Sequence, residues 1–148
     1  MKSFLSYWKP ATADFNLDGR DRPLNHIASN QYHRLSPDDE VFIVTARAGV
    51  LVLLSKVVVG RIVDQANAEA YADRELWESS FHVLSKPGTE LPLAEVDISH
   101  LADKLRFKSD RDRLAVDGGL VDAAQLQTMR ELTPQSAAYL DAAVRRGN

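Results

Sequence analysis

Apolar residues gather in short β-branched runs in the middle of the chain. Residues 41–45 form one run, 47–49 supply a short turn, and 50–54 form a second run. Residues 57–63 form a third run, which contains Gly60. Such runs between turn signals predict β-strands, and a glycine within one indicates a β-bulge or a bend. Strands that are apolar on both faces are typical of a covered or closed sheet, so the pattern favours a small β-barrel.

Two further strands are predicted on either side of this region. Residues 2–8 form a run that ends before Pro10, whose missing N–H suits the exit from a strand. Residues 79–86 form another, closed by the Pro-Gly pair at 87–88. Between the first strand and the central region, residues 11–22 are polar and carry turn residues, which predicts a loop.

Helical spacing is found in three other segments. The apolar residues of 24–35 are spaced as in a short helix or a helical turn. Asp64 is placed to N-cap a helix over residues 65–77, and residues 97–107 indicate another short helix. These helices are predicted to decorate the strands.

The last part of the chain carries the clearest helix signals. Asp122 and Gln125 form a D-x-x-Q capping box at the start of a predicted helix. Thr133 and Pro134 then supply the N-cap and the first residue of a final helix. The sequence therefore predicts a helical C-terminal segment.

Together these elements predict an α+β fold in one domain over residues 1–148. Its core is a small β-barrel decorated by short helices, and residues 120–148 form a helical C-terminal extension packed on it. A chain of 148 residues, of which 45% are hydrophobic, is long enough to bury a core. The chain has no cysteine, no signal-peptide pattern and no apolar run of about 18 residues. We therefore expect a cytoplasmic protein that does not enter membranes.

The net charge limits the class of partner. With 18 basic and 21 acidic residues, the formal net charge is −3. Proteins that hold long duplexes nonspecifically are usually basic, because lysine and arginine displace counterions from the phosphates. A pocket for one nucleotide needs little net charge, since stacking and base-edge hydrogen bonds supply the affinity. The charge disfavours nonspecific duplex binding and leaves the capture of a single nucleotide open.

Three stretches of the sequence resemble one known family. "SYWKP" (6–10) is similar to its aromatic-rich first strand, and "HIASNQYHRLSPDDEVFIV" (26–44) is similar to a segment in which a short helix with an Ala-x-Asn step leads into a turn and a strand. "VVVGRIVD" (57–64) resembles the glycine-containing strand that follows. Asp38 stands where the family usually has glycine, and Ser29 stands where arginine is common. On these stretches the chain resembles the EVE group of the PUA-like superfamily.

The resemblance implies a nucleic-acid-binding module that captures one extruded base in the mouth of its barrel. The base is often a modified cytosine in DNA or a nucleotide in RNA. Such modules in bacteria resemble the modified-base sensors of restriction systems, so a nuclease or another effector is an expected partner. Trp8 or Tyr7 would form the stacking wall, and at most one of them would face the pocket because successive strand residues alternate. Trp77 is a candidate for a second wall.

Polar side chains complete the predicted pocket. An extruded base is stacked on an aromatic or apolar face and is read along its Watson–Crick edge by amides and hydroxyls. The candidates for this reading are Asn25, Ser29, Asn30 and Thr45. Four cations are predicted to hold the flanking phosphates: Lys9, Arg20, Arg22 and Arg34.

Plainer roles compete with these assignments. Trp8 can be a core aromatic, Trp77 can pack a helix onto the barrel, and Asn30 can cap a turn. The four histidines of the chain are His26, His33, His82 and His100. Their spacing does not match a metal-binding motif, so we predict neither a metal nor a cofactor.

Two other functions remain open. The sequence contains no legible nucleophile–base pair, P-loop or dinucleotide fingerprint, which disfavours an enzyme. A small ribonuclease of PUA-like fold, with Lys9 and a threonine or tyrosine at its centre, is the alternative in that class. A protein-interaction domain that docks through residues 123–146 is the other alternative. It requires four side chains to be partly exposed: Leu126, Met129, Leu132 and Leu140.

Overall fold

The chain folds as a strand-rich α+β protein. A computed structural model describes residues 1–18, 23–64 and 81–147. The strands of these ranges are β1 (Ser3–Tyr7), β2 (Pro23–Leu24), β3 (His26–Ala28), β4 (Glu40–Arg47), β5 (Val50–Asp64), β6 (Phe81–Ser85), β7 (Leu91–Pro92), β8 (Val96–Asp97), β9 (Val116–Asp117), β10 (Leu120–Val121) and β11 (Arg130–Glu131). The helices are α1 (Pro10–Leu17) and α2 (Pro134–Gly147), and 3₁₀ turns cover Tyr32–Arg34, Ser99–Leu101 and Ala123–Leu126. Across the described ranges, no helix has both the length and the apolar character needed to cross a membrane.

A seven-stranded sheet organises the described residues. Its order is β11-β1-β4-β5-β6-β3, and β8 pairs with β5 beside this path. β1 runs parallel to β4, whereas the other pairs are antiparallel. β3 and β11 end the path and do not pair with each other within the described ranges, so the closed barrel that the sequence predicted is not found there.

The central hairpin is longer than predicted. The two apolar runs predicted as separate strands both belong to β5, a single strand of 15 residues. Lys56, which lies between the runs, pairs with Phe42 in the ladder. Its ammonium lies 3.1 Å from Glu40 Oε1 and 2.7 Å from Asp141 Oδ1. The prediction of two strands was wrong because the charge of Lys56 finds partners inside the fold, so the strand is not interrupted there.

Two turns depend on a positive φ. Ala48 (51°) and Gly49 (84°) connect β4 to β5, and a positive φ at both central residues matches the twist of the flanking strands. Asp38 also has a positive φ, 74°, at the position where the resembled family usually has glycine. Aspartate tolerates this conformation better than most residues. Its carboxylate lies 2.8 Å from Lys86 Nζ.

The bulge predicted at Gly60 is confirmed. The pairing of β5 with β6 changes register between Val59 and Arg61. A Cβ atom on Gly60 would lie 2.9 Å from the backbone of Lys86, so a side chain here would force the two segments apart. Glycine therefore allows the close approach that the bulge requires.

Two clusters of buried side chains lie on opposite faces of the sheet. Successive strand residues point to opposite faces. Leu5 and Phe42 accordingly enter one cluster, which also includes residues of α2, whereas Phe4 and Val41 enter the other. Trp8 belongs to the second cluster, so its indole lies on the face opposite α2.

Two segments near the N-terminus differ from the prediction. The predicted loop begins as α1, because Pro10 occupies the first turn of a helix, where its missing N–H costs nothing, rather than only ending a strand. Residues 24–35 were predicted to form a short helix or a helical turn, and only the helical turn is found. The first half of that segment pairs as β2 and β3 with β7 and β6, and only Tyr32–Arg34 turns helically. The helix predicted over residues 65–77 lies outside the described residues.

The C-terminal segment is less helical than predicted. Asp122 Oδ1 accepts a hydrogen bond from Ala124 N–H, but the helix that it starts is a 3₁₀ turn of four residues. The helix does not continue into Arg130–Glu131, because these residues form β11 and pair with β1. The final helix is confirmed as α2, and Thr133 Oγ1 accepts a hydrogen bond from Ser136 N–H.

The apolar side chains of this segment are buried. Their exposed fractions are 3% for Leu126, 2% for Met129, 2% for Leu132 and 0% for Leu140. They pack into the two core clusters and are not available to a partner. The docking surface required by the protein-interaction alternative is therefore not exposed.

Candidate functional site

A cavity of about 530 Å³ lies beside the end of β1. Its walls come from the end of β1, from α1, from β3 and the turn that follows it, and from Gln127 and Met129. Small-molecule sites commonly have volumes of about 300–1,000 Å³. The cavity is therefore large enough to enclose one small ligand.

Trp8 and Tyr32 form the buried aromatic wall of the cavity. The backbone N–H of Trp8 donates to Val44 O at 2.8 Å, which extends the β1–β4 pairing by one residue. Trp8 is 8% exposed, and Tyr32 shares a hydrogen bond of 2.9 Å with Ser6 Oγ. Burial raises the pKa of Tyr32 to about 12, although hydrogen bonds with Ser6 and Trp8 oppose the rise. Trp8 and Tyr32 belong to the same buried cluster, so packing holds both rings in place.

Tyr7 and Trp8 differ in their packing. Trp8 belongs to the core cluster on the cavity side, whereas Tyr7 packs against the cluster on the opposite face. Both residues contribute atoms to the cavity lining. Strand alternation separates the two rings, and Trp8 is the one that shares a buried cluster with Tyr32.

The turn after β3 supplies a polar rim. Ser29 Oγ accepts a hydrogen bond from the Gln31 N–H at 3.1 Å, and Asn30 is exposed at the cavity. The side-chain amide of Gln31 donates to Gln127 O at 2.8 Å and accepts from the Met129 N–H. One side chain thus joins the turn to the C-terminal wall of the cavity.

One face of α1 forms the outer wall. Thr12, Phe15 and Asn16 are three and four residues apart, so they lie on the same side of the helix, and all three line the cavity. Asn16 Nδ2 donates to Thr12 O at 2.8 Å, whereas Phe15 is 61% exposed. Lys9, the N-cap residue of α1, also lines the cavity.

A pair of histidines lies where β3 meets the cavity. His26 lines the cavity, and its Nε2 lies 2.7 Å from Nδ1 of the fully buried His82. The two rings are nearly parallel, with an interplanar angle of 7°. One of these nitrogens must donate and the other must accept, so His82 fixes the orientation of His26. Across the described ranges, no group of three or more His, Cys, Asp or Glu residues is arranged to hold a metal ion.

The charge of the cavity differs from that of the whole chain. None of the described lining residues is acidic, although the chain has 21 acidic residues. Lys9 contributes an ammonium group at the start of α1. Asp14, which also belongs to α1, instead lies 2.7 Å from Arg47. The lining can therefore accept a ligand with an apolar face, a polar edge and a negative group near Lys9.

The structure brings several predicted site residues together. Those that line the cavity are Tyr7, Trp8, Lys9, Ser29 and Asn30. Trp77, Arg20 and Arg22 were also predicted, and they lie outside the described residues.

Three other predicted residues do not line the cavity. Thr45 is fully buried in β4, and its hydroxyl has no hydrogen-bond partner among the residues that the structure describes. Asn25 is exposed, and its backbone oxygen accepts from the Ser85 N–H in the sheet. Arg34 donates to Met129 O, and its guanidinium carbon lies 5.6 Å from the centroid of the Phe4 ring. Arg34 is thus engaged with the C-terminal wall rather than directed into the cavity.

Sequence reasoning missed the residues of α1 and of the C-terminal wall. Thr12, Phe15 and Asn16 were missed because the segment was predicted as a loop. The available signal was Pro10 at a first helical position, followed by residues that tolerate a helix. Gln127 and Met129 had no local signal, because they reach the cavity through contacts with Gln31.

No family model matches the chain, and no curated protein matches it. A solved structure of a hypothetical protein from Leishmania major has a TM-score of 0.49 and 14% sequence identity to this chain. The match covers 99% of this chain and 96% of that one.

Proposed function

We propose that this protein binds nucleic acid by capturing a single extruded base in the cavity beside Trp8. The observation that carries the proposal is that Trp8, which directly follows β1, and Asn30, in the turn after β3, line one cavity of about 530 Å³. An extruded base needs a flat face to stack on and polar groups along its edge. The cavity offers both kinds of group.

The stacking face in this proposal is the Trp8 ring. Trp8 is 8% exposed and belongs to a buried cluster, so packing holds the ring in place. A wall that is already held in its bound conformation reduces the entropy that binding costs. Trp8 is therefore suited to hold a heterocycle.

The base edge and the phosphate meet different groups. Ser29 and Asn30 present a hydroxyl and an amide at the rim, and both groups can donate and accept. Lys9 is placed to meet a phosphate, and no described lining residue is acidic. This local charge supports the binding of an anionic nucleotide by a chain whose net charge is −3.

We also propose a PUA-like barrel of the EVE type, a modified cytosine as the captured base, and a nuclease or another effector as partner. The resemblance of residues 6–10, 26–44 and 57–64 supports the family, and so does the positive φ of Asp38 where that family usually has glycine. Ile27 and Met129 give the lining apolar surface that a 5-methyl group would contact.

The two methionines of the chain make the proposal testable by NMR. Met1 is 86% exposed, whereas Met129 is 2% exposed and lines the cavity. Oligonucleotides that carry cytosine, 5-methylcytosine or 5-hydroxymethylcytosine, and the matching RNA, are added to protein with labelled methionine methyl groups. We expect the Met129 signal to shift and the Met1 signal to stay. Trp8→Ala should weaken binding about tenfold or more, because stacking on an aromatic ring contributes about 1–3 kcal/mol per base.

Two outcomes would count against base capture. If no probe shifts the Met129 signal at millimolar concentration, the cavity does not bind a base. If the RNA is instead cleaved, and Lys9→Ala abolishes the cleavage, the protein is a ribonuclease.

A further inference from the structure

The buried part of the cavity wall contains two hydroxyl groups. Ser6 is 6% exposed and Tyr32 is 1% exposed, and both residues line the cavity. The other lining residues that are buried are Trp8, Ile27 and Met129, whose side chains are largely apolar. A ligand in the cavity therefore meets a hydroxyl pair within an otherwise apolar wall.

The Ser6 and Tyr32 side chains lie on the same side of the sheet. Side chains alternate along a strand, so Ser6 shares its face with Phe4 and Trp8. Phe4, Trp8 and Tyr32 belong to the buried cluster on the cavity side. Ser6 Oγ and Tyr32 Oη lie 2.9 Å apart. The two hydroxyls thus form one hydrogen-bonded pair in the wall.

This pair has two hydroxyl protons but only one hydrogen bond between its members. That bond uses one proton, and the described part of the chain supplies no acceptor for the other. The hydrogen bond of Tyr32 with Trp8 does not change the count, because a tryptophan side chain can only donate. A ligand that displaces water from this wall must therefore supply an acceptor or leave a buried donor unmatched, which is unfavourable.

The phenol is the better donor within the pair. A phenol is a stronger acid than an aliphatic alcohol, and its pKa of about 12 in Tyr32 keeps it protonated at neutral pH. The Tyr32 hydroxyl therefore donates to Ser6 Oγ. The Ser6 proton is the one that is left for a ligand.

We propose that the Ser6 hydroxyl donates a hydrogen bond to the captured base, at an acceptor on its Watson–Crick edge. The inference rests on the proposed function, because the base must occupy the cavity beside Trp8. In cytosine the acceptors of that edge are the O2 carbonyl and the ring nitrogen N3. A base that presented an N–H donor there would leave the Ser6 proton unmatched. Stacking on Trp8 tolerates every base, since each has a flat face, so Ser6 would be the residue that selects among them.

Nucleotide analogues that lack one acceptor test this hydrogen bond. The probes are 5-methyldeoxycytidine monophosphate, its 3-deaza analogue, in which N3 becomes C–H, and its 2-thio analogue, in which sulfur replaces O2. Their ribonucleotide counterparts form a second series. Affinities are measured by titration of the Met129 methyl signal.

Two substitutions of Ser6 and one matched control complete the test. Ser6→Ala removes the hydroxyl, and Ser6→Cys keeps a similar volume but offers only a weak donor. Ser3→Ala is the control. Ser3 is a buried serine of the same strand, its hydroxyl donates to Glu40 Oε2 at 3.0 Å, and it does not line the cavity.

We expect the unmodified protein to bind one of the two analogues about tenfold more weakly than the parent nucleotide. Ser6→Ala and Ser6→Cys should bind the parent nucleotide about tenfold more weakly and should no longer distinguish it from that analogue. Ser3→Ala should behave like the unmodified protein.

The result that overturns the inference does not depend on the folding of the variants. If the unmodified protein binds both analogues as tightly as the parent nucleotide, Ser6 does not read the base, while base capture stands. The same conclusion follows if the analogues lose equal affinity in the unmodified protein and in Ser6→Ala. If no probe in either series binds, both proposals fail.

Discussion

The side-chain amide of Gln31 accepts a hydrogen bond from the backbone N–H of Met129, 98 residues further along the chain. The same amide donates to Gln127 O at 2.8 Å, and Arg34 of the same turn donates to Met129 O. Residues 127–129 precede β11. Their backbone groups form hydrogen bonds with the side chains of Gln31 and Arg34 rather than with a neighbouring strand. The turn after β3 therefore sets the position of the C-terminal wall of the cavity.

Gln31→Ala is expected to move this wall. Each lost hydrogen bond contributes about 0.5–1.5 kcal/mol, so the free energy of unfolding should fall by about 1–3 kcal/mol. The Met129 methyl resonance should shift without any ligand, because its backbone anchor is gone. Affinity for the nucleotide probes should also fall.

Gln125→Ala provides the matched control. The Gln125 amide accepts from the Ala115 N–H at 2.7 Å and donates to Ala115 O at 3.0 Å, and it does not line the cavity. Gln125→Ala should lower the free energy of unfolding, measured by chemical denaturation, by a similar amount. It should leave the Met129 resonance and the nucleotide affinity unchanged. Equal effects of both variants on binding would show that Gln31 acts only through stability.

Tyr32 should make the protein sensitive to alkaline pH. Burial raises its pKa from 10.0 to about 12. Because the pKa in the folded state is higher than in the unfolded state, the stabilisation is complete below pH 10 and is lost as the pH rises toward 12. The loss should be of the order of 3 kcal/mol, since one pKa unit corresponds to about 1.4 kcal/mol.

An ultraviolet titration of the phenol groups tests this expectation. Tyr32 should ionise late, together with unfolding, and Tyr32→Phe should remove that late component. Ionisation of every tyrosine near pH 10 in the folded protein would contradict the burial of this hydroxyl. Tyr139→Phe is the control, because Tyr139 is only partly buried.

Local signals predicted the strands that contain apolar runs, which are β1, β4, β5 and β6. The central runs, the strand before Pro87 and the bulge at Gly60 follow from β-branched residues and from a glycine at a close backbone approach. Local signals failed where tertiary pairing decided the outcome. Ile27 has helical spacing to its apolar neighbours, yet its segment pairs with β6 and becomes a strand.

The candidate site was predictable only in part. The "SYWKP" and "HIASN" stretches named Trp8, Ser29 and Asn30, which meet at the cavity because β1 pairs with β4 and β3 pairs with β6. Thr45 was named because a hydroxyl can read a base edge, but its side chain is buried in the core. The C-terminal wall depends on contacts across most of the chain, which periodicity and spacing do not encode.

Thr45 also leads to a stability prediction. Its buried hydroxyl has no hydrogen-bond partner within the described part of the chain, which is unfavourable. Valine has nearly the same shape without the polar group. Thr45→Val should therefore raise the free energy of unfolding by about 1 kcal/mol. Thr45→Ser, which keeps the hydroxyl and loses a methyl group, should lower it. Nucleotide affinity should not change in either variant, and a destabilised Thr45→Val would indicate that the hydroxyl has a partner in solution.

Lys56 should contribute more to stability than an exposed lysine with a similar ion pair. Burial alone would lower the pKa of Lys56, but hydrogen bonds to Asp141 and Glu40 outweigh that effect and raise it. Lys56→Met would leave both carboxylates without this partner and loosen the contact between β5 and α2. We expect a loss of about 2 kcal/mol in the free energy of unfolding, measured by chemical denaturation.

Lys86→Met is the control. It removes an exposed pair with Asp38 at 2.8 Å and should change the free energy of unfolding by no more than the measurement error, because solvent screens that pair. Equal losses in the two variants would mean that the partial burial of Lys56 does not strengthen its ion pairs.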